Sequence, residues 1–145
     1  MSDALYHDRM LELAAGSDSR EPLAQPDAEV TLDNPLCGDR VTLALRLDAA
    51  GAIAAVSHQV RGCGLCRAAM AALARHAVGQ DTASLTTVRA DLKQRLRAGP
   101  DAAAADAWPE LAVFTPVAPH KSRHECVLLP FDAALQALSS TDAHM

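Results

Sequence analysis

Part-way along the chain, at Gly62-Cys63, the spacing of the apolar residues changes from a strand period to a helix period, and few architectures accommodate that order. Before the change, Val41, Leu43, Leu45 and Leu47 alternate with Thr42, Ala44, Arg46 and Asp48, the period of two that a half-buried strand requires. Val30 and Leu32 alternate with polar neighbours in the same way, and Ile53 to Val60 follows the turn signal Asp48-Ala49-Ala50-Gly51. Three short strands in succession make an antiparallel meander. After the change, Cys66, Met70, Leu73 and Ala77 recur at helical spacing, with Gly79 as a candidate C-cap. A further helix is expected from about Ser84, with Leu85, Val88, Leu92 and Leu96 on one face, up to Gly99-Pro100.

The flanking segments fill in the rest. Residues 5–16 read as an N-terminal helix closed by Gly16, and Ser17 to Pro26 as a loop. Pro109 to Val113 reads as a short helix, after which Pro116 and Pro119 interrupt the chain. The last helix is expected to start at a capping box, with Ser122 at the N-cap and Glu125 at N3. It continues through Leu128, Leu135 and Leu138, with a kink at Pro130. Strands first and helices afterwards predict an α+β fold, a three-stranded antiparallel sheet packed against several helices, in a single domain spanning residues 1–145. Only four residues are aromatic, so the core must be built from Leu, Val and Ala.

Charge and hydropathy narrow the function. Thirteen basic against eighteen acidic residues leave a net charge of −5, with no dense Lys/Arg stripe, which argues against a nucleic-acid partner. No stretch reaches the ~18 apolar residues of a membrane span. The start of the chain, with Asp3, His7 and Asp8, lacks the basic-then-apolar order of a signal peptide, so a cytoplasmic protein is expected.

In a compartment that keeps thiols reduced, cysteines at element ends are more often ligands or nucleophiles than disulfide partners. Cys37 lies in the connection between the first two strands, Cys63 where the third strand hands over to a helix, and Cys126 near the start of the last helix. A helix N-terminus favours thiolate over thiol, and two of these positions have one. In Cys37-Gly38-Asp39 a carboxylate follows a thiol two residues on, across a glycine that leaves the backbone free to aim both at one point. Three thiolates and a carboxylate suit tetrahedral zinc, and thiolates also suit iron–sulfur clusters. The carboxylate is the hard, displaceable member, which fits a site that must let its cargo go.

Other arrangements stay open at this level. Cys63-Gly64-Leu65-Cys66 is a CxxC, so Cys66 could replace Asp39 in a closed four-cysteine zinc module, or pair with Cys63 in thiol–disulfide exchange. His120 and His124 flank the start of the last helix, where His124 is an alternative ligand or proton donor as well as a capping or solvated group. Lys121 and Arg123, with Arg40 as a candidate addition, form a small basic cluster that suits either an ordinary solvated loop or a partner contact.

Three motifs, in order, carry a resemblance. Asn34-Pro35-Leu36-Cys37-Gly38-Asp39-Arg40 resembles the Asn-Pro-x-Cys-Gly-Asp motif of the U-type iron–sulfur cluster assembly scaffolds, the family of IscU, SufU and the NifU N-terminal domain. Gly62-Cys63, followed by a helix rich in small residues, resembles the family's second cysteine motif, and Arg123-His124-Glu125-Cys126-Val127-Leu128-Leu129 its third. The resemblance implies the SufE/IscU-like α+β fold, with Cys37, Asp39, Cys63 and Cys126 gathered at one end as metal and cluster ligands. It implies a transient [2Fe–2S] cluster, iron, or zinc in the isolated protein. The implied partners are a cysteine desulfurase that donates persulfide sulfur and apo iron–sulfur proteins that accept the cluster, with Cys37 or Cys126 as sulfur acceptor. The long stretch between Cys63 and Cys126 is more similar to the SufU branch, which is associated with zinc and sulfur acceptance. A zinc-dependent sulfurtransferase that never builds a cluster would share every one of these ligands. Departures are also present: Glu125 stands where IscU-type members have His, Cys66 where a small residue is usual, and the Leu-Pro-Pro-Val-Lys chaperone motif is absent.

Overall fold

The computed structural model of the chain describes residues 23–35, 38–98 and 108–142. Three antiparallel strands, β1 (Ala28–Asn34), β2 (Asp39–Leu47) and β3 (Ile53–Arg61), form one sheet in the order β1-β2-β3. Helices follow: α1 (Gly64–His76), α2 (Thr82–Ala98), 3-10 turns over Pro109–Val117 and Lys121–Arg123, and α3 (His124–Asp142). The expected α+β arrangement is the one found. The expected helix over residues 5–16 and the first part of the loop after it, up to Pro22, lie outside the described residues, as does Cys37.

The period of two does what the sequence demanded of it. Val41, Leu43 and Leu45 are buried on one face of β2, and across the strands they meet Leu32 and Val60, Val30 and His58, Ala28 and Val56. The opposite face carries Thr42, whose hydroxyl lies 3.2 Å from that of its cross-strand partner Thr31, and the exposed Arg40 and Arg46. α3 lies across β1 and β2 and also packs against α1 and α2, so it is the central helix; α1 additionally covers β3. The core is largely Leu, Ala and Val, as the scarcity of aromatics requires, with Trp108, Phe114 and Phe131 buried among them. Trp108 stacks on His76 and tilts against Phe131, joining the end of α1 to α3.

Several boundaries differ from the sequence expectation, each for a local reason. α2 begins at Thr82, because the Asp81 carboxylate accepts the Ser84 N–H while the Ser84 hydroxyl accepts the Asp81 N–H, a reciprocal cap that fixes the start upstream of Ser84. Ser122 does not open α3. Backbone bonds from Ala118 to Thr115, His120 to Val117 and Arg123 to His120 turn the chain in 3-10 steps directly into a helix that starts at His124. Pro116 therefore sits inside the 3-10 run rather than interrupting it, at the second position of a turn that its fixed φ favours. α1 closes at Ala77, and Gly79 takes the positive φ (93°) two residues later while its N–H reaches the Ile53 carbonyl. Pro130 lies within α3, which runs on past it to Asp142.

Candidate metal centre

The ends of three strands and the starts of two helices meet at one end of the sheet. β1 and β2 close on the pair Asn34–Asp39, and the turn between them uses Gly38 at φ 72°, with its N–H on the Asn34 carbonyl at 2.8 Å. A residue with a β-carbon is strained at that φ, which explains the glycine immediately before the aspartate. Asp39 is then the first residue of β2 and points to the core side, only 1% exposed.

Opposite it, β3 ends at Arg61, and Gly62 leads to Cys63, the N-cap residue of α1. A β-carbon on Gly62 would collide with Asp39 Oδ1 and stand 3.0 Å from its Cα. Glycine here is a matter of space: it lets the carboxylate fold across the strand end and accept the Cys63 N–H at 2.8 Å. The other oxygen, Oδ2, lies 3.6 Å from Cys63 Sγ, which donates to it when protonated.

Cys126 arrives from the first turn of α3, fully buried, and its sulfur accepts a hydrogen bond from Asn34 Nδ2 at 3.8 Å. Asn34 is itself buried, on the strand end that pairs with Asp39. Ligand atoms of Asp39, Cys63 and Cys126 all lie within 4.8 Å of one another. Two thiols and a carboxylate at this separation match the donor set that zinc and iron accept. The Cys63 thiol is held down to about 7. The main cause is the hydrogen bond it receives from Cys126, helped by the N–H groups of Cys66 and Leu65 in the first turn of α1 and opposed by burial and by the Asp39 charge. The N-terminus of α1 adds to this stabilisation of the thiolate.

The remaining sequence candidates fall as follows. Cys66 is fully buried in the core and stands outside this group, so the four-cysteine alternative has no counterpart among the described residues. His124 has its Nε2 3.0 Å from the Ala118 carbonyl, a backbone tie rather than a place in the group. Arg40 is engaged by Asp33 at 2.7 Å. Two participants escaped the sequence reading, Asn34 and Gly62. Both occur in the quoted motifs, but only the register and the close approach reveal their parts.

The model of the NifU-like N-terminal domain matches residues 5–127. The chain belongs to that family. Among solved structures, the N-terminal part of a nitrogen-fixing NifU-like protein from Brucella abortus is similar at 29% identity and a TM-score of 0.84, covering 99% of this chain and 98% of that one. A candidate iron–sulfur cluster assembly scaffold protein for the SUF system from Fervidobacterium islandicum AW-1 shares the fold at a TM-score of 0.77 and 18% identity, with 95% and 99% covered. No curated protein matches the chain. This is the U-type iron–sulfur cluster assembly scaffold family that the three sequence motifs resemble. Among the described residues no helix is long and apolar enough to cross a membrane.

Proposed function

We propose that Cys37, Asp39, Cys63 and Cys126 hold iron and a nascent [2Fe–2S] cluster as cargo, with sulfur taken from a cysteine desulfurase in the cytoplasm. The observation that carries this reading is the convergence of Asp39, Cys63 and Cys126 at one end of the sheet. The turn that joins Asn34 to Gly38 carries Cys37 in sequence, two residues before Asp39, which makes it the natural third thiolate.

The sulfur step requires only a thiolate. The attacking thiolate, Cys37 or Cys126, bonds to the outer sulfur of the donor's persulfide as the donor's S–S bond breaks. The donor leaves as a thiolate, and the proton stays on the transferred sulfur. Asn34 donates to Cys126 Sγ and so stabilises that sulfur when it carries negative charge. Asp39, tied to the Cys63 N–H, is the oxygen donor that can be released without leaving a thiolate exposed. Replacing Asp39 by Ala is expected to slow transfer of the cluster to an acceptor. Equal or faster transfer would remove the labile-ligand role.

A second reading, a zinc-bound sulfur acceptor of the SufU type, is favoured by the same sulfur–oxygen donor set and by the long Cys63–Cys126 interval. Anaerobic assembly with a cysteine desulfurase, cysteine and ferrous iron separates the two. A visible cluster that passes intact to apo-ferredoxin supports the scaffold. Faster desulfurase turnover with sulfur on Cys37 or Cys126, and no cluster, supports the zinc-type acceptor.

A further inference from the structure

On the solvent face of the sheet, directly beside the Asn34–Asp39 pair, a charged row runs across the three strands: Asp33 on β1, Arg40 on β2 and Arg61 on β3. Like charges set opposite one another on neighbouring strands are destabilising, so Arg40 against Arg61 is an unusual choice for a fold alone. Asp33 answers only half of it, through its 2.7 Å bond to the Arg40 Nε. Arg61 is exposed, and among the described residues it has no ion pair or hydrogen bond from its side chain. The row reads acid, base, base, and lacks an acid at its β3 end.

That end opens onto a cleft of about 440 Å³ lined by Asp33, Asn34, Pro35, Asp39, Arg40 and Arg61. Asn34 and Asp39 are common to the cleft and to the cysteine site, and Arg61 precedes Cys63 by two residues. The cleft is open to solvent along one side, unlike pockets that enclose most of a small ligand. An occupant must bring its own surface to cover it, which points to a protein rather than to a free small anion.

We infer that this cleft docks an acidic side chain of the sulfur-donating protein, with Arg61 as its counter-charge, and so sets the donor beside the thiolates. The inference rests on the proposed sulfur acceptance, and its occupant is an Asp or Glu on the desulfurase surface. The overall charge of −5 would repel an acidic partner, so a local cation at the site both admits it and fixes where it lands.

The test uses the full chain loaded with zinc and the purified cysteine desulfurase from the same genome, with association rates measured at low and high salt. Arg61→Glu is expected to slow association about tenfold at low salt, Arg61→Gln by less, and both to flatten its salt dependence. Arg46→Glu makes the same change in net charge at the far end of β2 and is expected to leave the rate within about twofold. Zinc content should be unchanged in all three. Equal rates for wild type and Arg61→Glu would overturn the docking cleft while leaving sulfur acceptance intact. So would an equal loss in Arg46→Glu, which would reduce the effect to net charge, or loss of zinc in Arg61→Glu, which would make Arg61 a support of the metal centre. If the wild-type chain and the desulfurase do not associate at all, the functional reading itself fails, and the cleft with it.

Discussion

Two aspartates bracket β2, and they behave in opposite ways. Asp48, just past the end of the strand, is exposed and uses Oδ1 to accept the N–H groups of Ala50 and Ala52 at 2.9 and 3.0 Å, closing the β2–β3 turn. Its work is finished within five residues of chain. Asp39, at the start of the strand, is buried and reaches across the sheet end to a helix N-cap, with an oxygen left 3.6 Å from a thiol. Burying a carboxylate costs several kcal/mol unless it is paired or ligates. An exposed Asp suffices to make a turn, as Asp48 shows, so burial of Asp39 beside two cysteines supports the proposed role of Asp39 as a metal ligand.

Substitutions can break this contrast. The largest effects belong to the thiolates: Cys63→Ser or Cys126→Ser should each weaken zinc binding by about two orders of magnitude or more, measured by competition with a chelating dye. Retained affinity in either would remove that residue from the ligand set. Gly62→Ala comes next. Its methyl must displace the Asp39 carboxylate, so about 1–3 kcal/mol of stability is expected to go, together with metal affinity. Asp48→Ala should lose about 1 kcal/mol by denaturant unfolding and leave metal affinity alone, because its bonds serve only an exposed turn.

The titration of Cys63 sharpens the same comparison in the metal-stripped protein. Its folded value, about 7, lies below the ordinary 9.0, so the thiolate predominates above pH 7 and is lost as pH falls through it. Alkylation of Cys63 should rise with a midpoint near 7 in the native protein and near 9 in denaturant. By the same sign, its contribution to stability is complete above pH 9 and declines as pH falls toward 7. Asp39→Asn should lower the native midpoint further, since the carboxylate's charge raises it, whereas Asp48→Asn should not move it. The smallest change is expected from Asn34→Ala, a shift in the thiolate-to-metal band of the cobalt-substituted protein as Cys126 loses its hydrogen bond.

What could be read from the sequence was whatever local pattern decides. The alternation from Val41 to Leu47 dictated β2, and the change of period at Gly62 put Cys63 at a helix start, where α1 has it as N-cap. Asp39 and Cys126 were likewise legible as members of one site, from their motifs. Less legible was anything set by partners distant in the chain. Asn34 touches Cys126 across 92 residues, and the need for glycine at 62 exists only once Asp39 lies against it. The misjudged start of α3 has the same origin: Ser122-to-Glu125 has the form of a cap, but the preceding 3-10 turns already carry the chain into the helix.

The central claim is that a carboxylate and thiolates share one metal here, and X-ray absorption at the zinc edge tests it most directly. The zinc-loaded chain should give three sulfur scatterers at about 2.3 Å and one oxygen at about 2.0 Å. In Asp39→Asn and Asp39→Ala the three sulfurs should remain while the oxygen shell is replaced or lengthened. Four sulfurs in the wild type would instead put Cys66 on the metal, and an imidazole shell would put a histidine there. Either result would contradict the role assigned to Asp39.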